Sequence, residues 1–287
     1  MIPILQHSLA RFRGQIIGWG LAIFLLGLLI TPIYDIVLSQ QEQFEQLLQN
    51  YPPEFTAFFG DFTQFATPEG FLSAEYFSIL PIILGIFAVL AGSGLLASDE
   101  ENGTLDLLMA YPVSRMALFW GRLLAFAVVT AVVLALGWVG LALPMSWTQL
   151  DVGLGDLALP FLGLLAQLLL FGTLALVLSM LLPARRLAAM AAALVLVASF
   201  FVTGLARLNE DLEVVARLSP LNYYQSGEAI RGLNWTWFGG LMAVAALFAL
   251  LAWWRFERRD IRVGGEGGWR LPLLRRRLRL KTFQQPD

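Results

Sequence analysis

Six long apolar runs dominate the chain and restrict its fold more than any other feature. They cover roughly residues 16–38, 76–97, 116–143, 157–182, 187–206 and 237–254. Each is about long enough to cross a hydrocarbon layer ~30 Å thick as a helix. The mean hydropathy is +0.70 and only 14% of the residues are charged, which is unlike a soluble protein. The sequence therefore predicts an all-α, polytopic membrane protein with six transmembrane helices.

Several kinds of chemistry are excluded by residues that the chain lacks. It contains no cysteine, so disulfides and thiolate metal sites are impossible, and His7 is its single histidine. Lys281, its one lysine, follows no glycine-rich phosphate-binding loop. No catalytic constellation appears, so we expect no enzymatic activity and no bound cofactor. Any ATP-driven function would require a separate ATPase chain.

The distribution of basic residues predicts the orientation in the membrane. An even number of spans puts both termini on the same side. If that side is the cytoplasm, 16 of the 19 arginines and lysines lie in inner segments, and only Arg207, Arg217 and Arg231 lie outside. Inner segments of membrane proteins carry such an excess of basic residues. We therefore expect a multi-pass protein of the cell membrane with both termini in the cytoplasm.

Polar segments flank the six-span domain, which we assign to residues 16–262. Residues 1–15 carry an apolar stripe of Leu5, Leu9 and Phe12 beside polar side chains, which predicts an amphipathic helix on the cytoplasmic face. Residues 263–287 form a basic tail, with a glycine-rich linker followed by LPLLRRRLRLK. Beside a membrane, such a tail is expected to attract anionic lipids. Nucleic-acid binding is the alternative, which tethering to the inner leaflet disfavours.

Two longer polar segments lie on the predicted outer side. The first, residues 39–75, contains phenylalanines at helical spacing, which favours packing at the membrane surface over a ligand-gathering role. They are Phe55, Phe58, Phe59 and Phe62. The second, residues 207–235, is too polar to span and predicts short outer helices before the sixth span. Within it, Glu228 and Arg231 are spaced for an ion pair.

The fourth and fifth runs form a closely connected pair. Only residues 183–186 separate them, which predicts antiparallel neighbours. The fifth run is rich in alanine, and small residues let helices approach closely in lipid. Its small-residue face could contact either a second chain or the rest of this chain.

Ionisable residues are scarce within the predicted spans. Arg122 lies only about two turns into the third run, so we expect its side chain to extend to the cytoplasmic surface. No ionisable residue lies near the middle of a predicted span, which argues against transport coupled to protons or ions and against an intramembrane enzyme.

The polar stretch from residue 97 to residue 122, between the second and third runs, contains its own helix pattern. Gly103 can end one helix and Thr104 can cap the next. Pro112 can end that helix before Ser114 caps the third run. The stretch is too long for a plain connection, which predicts a short separate helix.

This short helix, at about residues 104–110, has two different sides. Leu105, Leu108 and Met109 share one side, and Asp106 lies on another. Such an amphipathic helix either docks a partner or lies on the lipid headgroups.

Ten residues of the stretch resemble a known signature. They are Glu100, Glu101, Gly103, Thr104, Leu105, Leu108, Pro112, Val113, Ser114 and Arg115. The pattern is similar to the E-E-x-G-T-L-x-x-L-L-x-x-P-V-S-R signature of permease subunits of type-2 ATP-binding-cassette (ABC) exporters. In that family this segment is the coupling helix, seated in a groove of a cytoplasmic ATPase. Residues 256–261, F-E-R-R-D-I, resemble the closure of many such permeases.

The resemblance implies both a function and partners. It implies a permease that pairs with a second permease, identical or related, and with two cytoplasmic ATPases, which bind the ATP and Mg. The apolar spans would suit export of a hydrophobic or amphipathic substrate. A non-transporting membrane scaffold or sensor that retains the permease fold is the alternative.

The resemblance also assigns residues to the contact with the ATPase. The implied coupling residues are Glu100, Glu101, Gly103, Thr104, Leu105, Leu108, Met109, Pro112 and Arg115. Among them, the two glutamates would find polar or basic partners near the groove. The three apolar side chains would fill the groove, and Arg115 would anchor the return to the membrane.

Overall fold

The computed structural model describes residues 2–40, 65–105 and 114–258. In chain order the longer helices are α1 (Ile2–Arg11), α2 (Arg13–Ser39), α3 (Pro68–Phe77), α4 (Leu80–Gly94), α5 (Ala97–Glu101), α6 (Arg115–Met145), α7 (Leu154–Leu181), α8 (Arg185–Ala206) and α9 (Trp235–Arg258). Short helical turns at Glu210–Leu212, Glu213–Ala216, Pro220–Tyr223 and Ser226–Arg231 join α8 to α9. These described residues contain no β-strand, in agreement with the all-α prediction.

The helices can account for the predicted spans. Among the described residues, α2, α6, α7, α8 and α9 are each long and apolar enough to cross a membrane. The bent pair of α3 and α4 completes six if it is counted as one span. This confirms a polytopic α-helical membrane protein.

The second span differs from its prediction at residues 76–97. Its helical structure starts at Pro68, bends by 41° between α3 and α4, and ends at Gly94. Pro81, the second residue of α4, explains the break, because proline has no N–H for the preceding turn and disfavours helical conformation in the residue before it. Part of the predicted outer loop therefore belongs to the bent pair.

Glycines allow two pairs of helices to cross at very short distance. A Cβ atom added to Gly27 of α2 would lie 2.7 Å from the carbonyl carbon of Gly140 in α6. One added to Gly92 of α4 would lie 2.7 Å from the carbonyl carbon of Gly172 in α7. Both contacts are backbone against backbone, so no side chain can move aside to make room. These crossings fix α2 on α6 and α4 on α7.

The most buried span is α7, which packs against α4, α6, α8 and α9. Aromatic side chains fill the core between its neighbours: Tyr76 and Phe77 of α3 both lie edge-on to Phe161 of α7. The hydroxyl of Tyr76 donates to the carbonyl of Ile23 in α2 at 3.0 Å. Thus α3 links α2 to the centre of the bundle.

The alanine-rich face of α8 makes contacts within this chain. Ala188, Ala192 and Leu196 are buried, and Leu196 packs onto Gly85 of α4. The turn before α8 is as short as predicted, and α7 and α8 pack as neighbours. Other apolar side chains of α8, including Leu194, remain exposed.

Candidate functional site

One end of the bundle gathers eight of the eleven described arginines, and we call it the arginine-rich end. It comprises α1, α5, the last turns of α4, α7 and α9, and the first turns of α2, α6 and α8. The predicted short helix begins at Thr104, and its residues 106–110 lie outside the described residues. The two segments that flank it, residues 97–105 and residues 114–122, contact several other elements.

Gly103 ends α5 as the sequence predicts. Its φ is +68°, a left-handed conformation that glycine adopts without steric cost. Its N–H donates to the carbonyl of Glu100 at 3.2 Å, which closes the last turn. The chain therefore changes direction at Gly103, directly before the predicted short helix.

Asp99 is the centre of the polar contacts in this site. It is only 5% exposed, yet its carboxylate has three partners. Arg11 of α1 donates to Oδ1 at 2.8 Å, and the Thr104 hydroxyl donates to the same oxygen at 3.0 Å. Arg122 of α6 forms an ion pair with the other oxygen. A buried carboxylate is stable only with such partners, so Asp99 joins α1, α5 and α6.

The arginines also determine the charge state of Asp99. Burial alone would raise the pKa of its carboxyl group. The positive charge of Arg122, and the hydrogen bond and charge of Arg11, outweigh burial and hold the pKa below its ordinary value of 3.8. Asp99 is therefore ionised at neutral pH. Within residues 2–40, 65–105 and 114–258, no group of three acidic or histidine side chains could hold a metal ion.

The position of Arg122 corrects the expectation that it extends to the surface. Its side chain is 8% exposed and turns inward. Besides pairing with Asp99, it donates to the carbonyl of Leu95 at 2.7 Å, just beyond the end of α4. A counter-ion and a free carbonyl lie within reach, so the guanidinium is stabilised without reaching water.

The glutamates of the signature occupy different environments. Glu100 is buried, whereas Glu101 is exposed. A carboxylate oxygen of Glu101 accepts a hydrogen bond from the backbone N–H of Arg185, the first residue of α8, at 3.0 Å. The guanidinium of Arg185 donates to the carbonyl of Leu90 in α4 at 3.3 Å. These bonds connect α8 both to α4 and to the segment that carries the signature.

Thr104 and Leu105 are turned toward the chain itself. The hydroxyl of Thr104 donates back to Asp99. The backbone N–H groups that Thr104 is predicted to cap lie outside the described residues. Leu105 is predicted to contact the ATPase, but it is 1% exposed and belongs to the chain's own hydrophobic core. In this conformation Leu105 offers no surface to a partner. Its burial instead anchors the start of the predicted short helix.

Arg115 connects the two sequence segments that resemble the permease family. Ser114 caps α6 as predicted, since its hydroxyl accepts from the N–H of Ala117 at 3.1 Å. The guanidinium of Arg115 donates to the carbonyls of Phe256 and Glu257 at 3.3 and 3.2 Å. These carbonyls lie in the last turn of α9, where unpaired carbonyls favour a cation. Arg115 therefore fixes the start of α6 to the end of α9.

Three of the implied coupling residues lie outside the described residues. They are Leu108, Met109 and Pro112, within residues 106–113. The others lie on the two flanks, and the structure brings these flanks to the same end of the bundle.

Sequence reasoning missed four residues of the site: Asp99, Arg11, Arg122 and Arg185. One signal was available for Arg122, because an arginine inside a span generally has a counter-ion, and Asp99 ends the preceding apolar stretch. For Arg11 and Arg185 the sequence carries no comparable signal. Their partners lie 88 and 84 residues away along the chain.

Comparison with known families identifies one match. A family model described as "ABC-2 family transporter protein" matches residues 3–261, which is nearly the whole chain. No curated protein sequence matches the chain significantly.

Proposed function

Because this chain belongs to the ABC-2 family of transporter proteins and is a multi-pass membrane permease of an ABC transporter, we propose that it exports a hydrophobic or amphipathic substrate. Family membership implies association with a cytoplasmic ABC ATPase, and permeases of this family are generally not catalytic themselves. In our proposal two ATPase copies bind the ATP and Mg, and a second permease, identical or related, completes the complex.

The observation that carries the proposal is the attachment of both flanks of the predicted coupling helix. The flank before it is joined through Asp99 to α1 and α6, and through Glu101 to α8. The flank after it is joined through Arg115 to α9. A surface helix with no mechanical role would need no such contacts. A displacement of the coupling helix would reach α1, α4, α6, α8 and α9 directly.

The implied docking residues divide into two groups in this proposal. Leu108 and Met109 would fill the groove of the ATPase. Leu105 would hold the helix in the core, because its side chain is buried there. Asp99, Glu101 and Arg115 would transmit the displacement and need not touch the ATPase.

We assign the arginine-rich end to the cytoplasm, which puts both termini and the coupling helix there. This chain has no cysteine, so single cysteines provide a clean test. An impermeant thiol reagent added to intact cells should label cysteines at positions 46, 148 and 222. It should label those at 102 and 265 only after the membrane is opened. Labelling of position 102 in intact cells would contradict the proposed coupling site.

The composition of the spans supports an apolar substrate. The charged side chains of the described spans lie toward the helix ends, and the central parts carry none. A path for protons or small ions would require ionisable groups there.

The proposed function is tested by the ATPase activity of the reconstituted complex. Addition of a phospholipid, a lipopeptide or an amphipathic drug should change the activity if the complex exports such molecules. A scaffold or sensor that retains the fold should give the same activity with and without every compound.

A further inference from the structure

The break between α3 and α4 leaves a backbone carbonyl without its usual partner. In a continuous helix, the N–H of residue 81 would donate to the carbonyl of Phe77, four residues earlier. Residue 81 is proline and has no N–H. The hydroxyl of Tyr224 donates to the Phe77 carbonyl instead, at 3.3 Å, and Tyr224 is 9% exposed. A residue from a distant segment therefore completes the bend of the second span.

Tyr224 lies within a compact structure at the end of the bundle opposite the arginine-rich end. We call this structure the cap, and define it as residues 219–231, with its turns Pro220–Tyr223 and Ser226–Arg231. The cap lies in the loop between α8 and α9.

The cap is fixed to α3 along its length. A Cβ atom added to Gly227 would lie 2.7 Å from Cα of Ser73, so the two backbones touch. The hydroxyl of Ser73 donates to that of Ser226 at 3.1 Å. Ser226 has a φ of 53°, which is rare for a residue other than glycine. At the far end, Arg231 and Glu69 form an ion pair at 3.6 Å, which replaces the pairing with Glu228 that the sequence suggests.

The polar contacts between the cap and the bent pair end at Phe77, before the break. Beyond the break, α4 leads through Leu95 and Leu96 into α5 and the candidate coupling site. The second span thus has one half attached to the cap and the other half continuous with the coupling segment, with a bend between them.

We infer that the cap and α3 move together as one unit, which pivots at residues 78–79 when the coupling segment displaces α4. The cap and α3 both also pack on α7, so the unit keeps that contact. It would move relative to α8, to which the cap is joined by fewer polar contacts. There the hydroxyls of Thr203 and Ser219 are 2.8 Å apart, and Ser219 also donates to the carbonyl of Ser199 at 3.1 Å. The inference rests on the proposed function, because it requires an ATP-driven cycle.

Two disulfides of matched geometry test the inference. Ser73→Cys with Ser226→Cys would lock the cap to α3, and Thr203→Cys with Ser219→Cys would lock the cap to α8. The paired hydroxyls are 3.1 and 2.8 Å apart, so both pairs are close enough to bond. The chain has no other cysteine.

The measurement is Mg·ATP hydrolysis by the complete permease–ATPase complex in lipid, before and after oxidation and again after reduction. Cap-to-α3 locking should leave the rate within about twofold, whereas cap-to-α8 locking should lower it more than about fivefold, reversibly on reduction. Loss of activity with the cap-to-α3 disulfide would overturn the inference. Full activity with both disulfides would overturn it too, since the cap would then not need to move.

The wild-type complex separates this inference from the proposed function. If the wild-type chain does not bind an ATPase, or the complex hydrolyses no ATP, the proposed function fails. If the wild-type complex is active and the two disulfides behave alike, only the inference about the cap fails.

Discussion

The guanidinium of Arg11 donates a 2.8 Å hydrogen bond to the carboxylate of Asp99, which is 88 residues away in the chain. The same carboxylate pairs with Arg122, so one acidic side chain serves two arginines in different helices. The two pairs differ in exposure: the side chain of Arg11 is 47% exposed and that of Arg122 is 8% exposed. The two pairs should therefore contribute different amounts to the free energy of unfolding.

Asp99→Asn should be far more harmful than Arg11→Gln. Loss of the carboxylate leaves the buried Arg122 without a counter-ion, which typically costs about 3–5 kcal/mol. Loss of the half-exposed Arg11 should cost about 1 kcal/mol or less. Thermal unfolding in detergent measures both, with the exposed Asp151→Asn as control. Adding Arg122→Met to Asp99→Asn should restore part of the stability. Equal losses for Asp99→Asn and Arg11→Gln would contradict the central position of Asp99.

The contribution of Asp99 should not depend on pH near neutrality. Its pKa is lower in the folded protein than the ordinary value of 3.8, so its stabilisation is complete above that value and disappears as the pH falls through the folded pKa. The stability difference between the wild type and Asp99→Asn should therefore be constant from about pH 8 to about pH 5. A difference that shrinks within this range would mean that the carboxyl group titrates there, and that its pKa is raised.

Gly92→Ala should destabilise the crossing of α4 and α7. The new methyl group would meet the backbone of Gly172, which cannot rotate away as a side chain could. Overpacking usually costs about 1–3 kcal/mol, and a clash between two backbones should lie at the upper end. Gly239→Ala in α9 is a suitable control, because nothing lies within 4 Å of its added Cβ. Equal folded yields and melting temperatures for the two variants would show that the helices are not in such close contact.

Tyr224→Phe should weaken the bend of the second span by removing a single hydroxyl group. The carbonyl of Phe77 would lose the bond that compensates for Pro81, and an unsatisfied buried carbonyl costs about 1–3 kcal/mol. Tyr223→Phe is the matched control, because its hydroxyl bond to the carbonyl of Arg217 is exposed to solvent. In thermal unfolding, Tyr224→Phe should have a clearly lower melting temperature than Tyr223→Phe and the wild type. The reverse order would contradict the role assigned to Tyr224.

The spans and several helix ends could be predicted from the sequence because they depend on residues close together in the chain. Apolar length located the membrane helices, Gly103 could end one helix, and Ser114 could cap α6 from its position alone. These features depend on a few neighbouring residues.

Long-range contacts could not be predicted in the same way. The burial of Leu105, the inward direction of Arg122 and the bond from Tyr224 to Phe77 each depend on which helices become neighbours. The helical pattern puts Leu105, Leu108 and Met109 on one side, but it cannot tell a partner's groove from the chain's own core. That distinction separates the anchor Leu105 from the two proposed docking residues.

The most direct test of the central claim is the variant Leu108→Asp. If Leu108 fills an apolar groove of the ATPase, the substitution buries a charge without a partner, which should cost several kcal/mol and abolish docking. Asp106→Asn, on another side of the predicted helix, is the control and should have little effect. The measurement is co-purification of the ATPase in detergent, after membrane insertion of each variant has been verified. We predict that Leu108→Asp inserts normally and loses its ATPase, whereas Asp106→Asn retains it. A Leu108→Asp chain that inserts normally and still co-purifies with the ATPase would contradict the account.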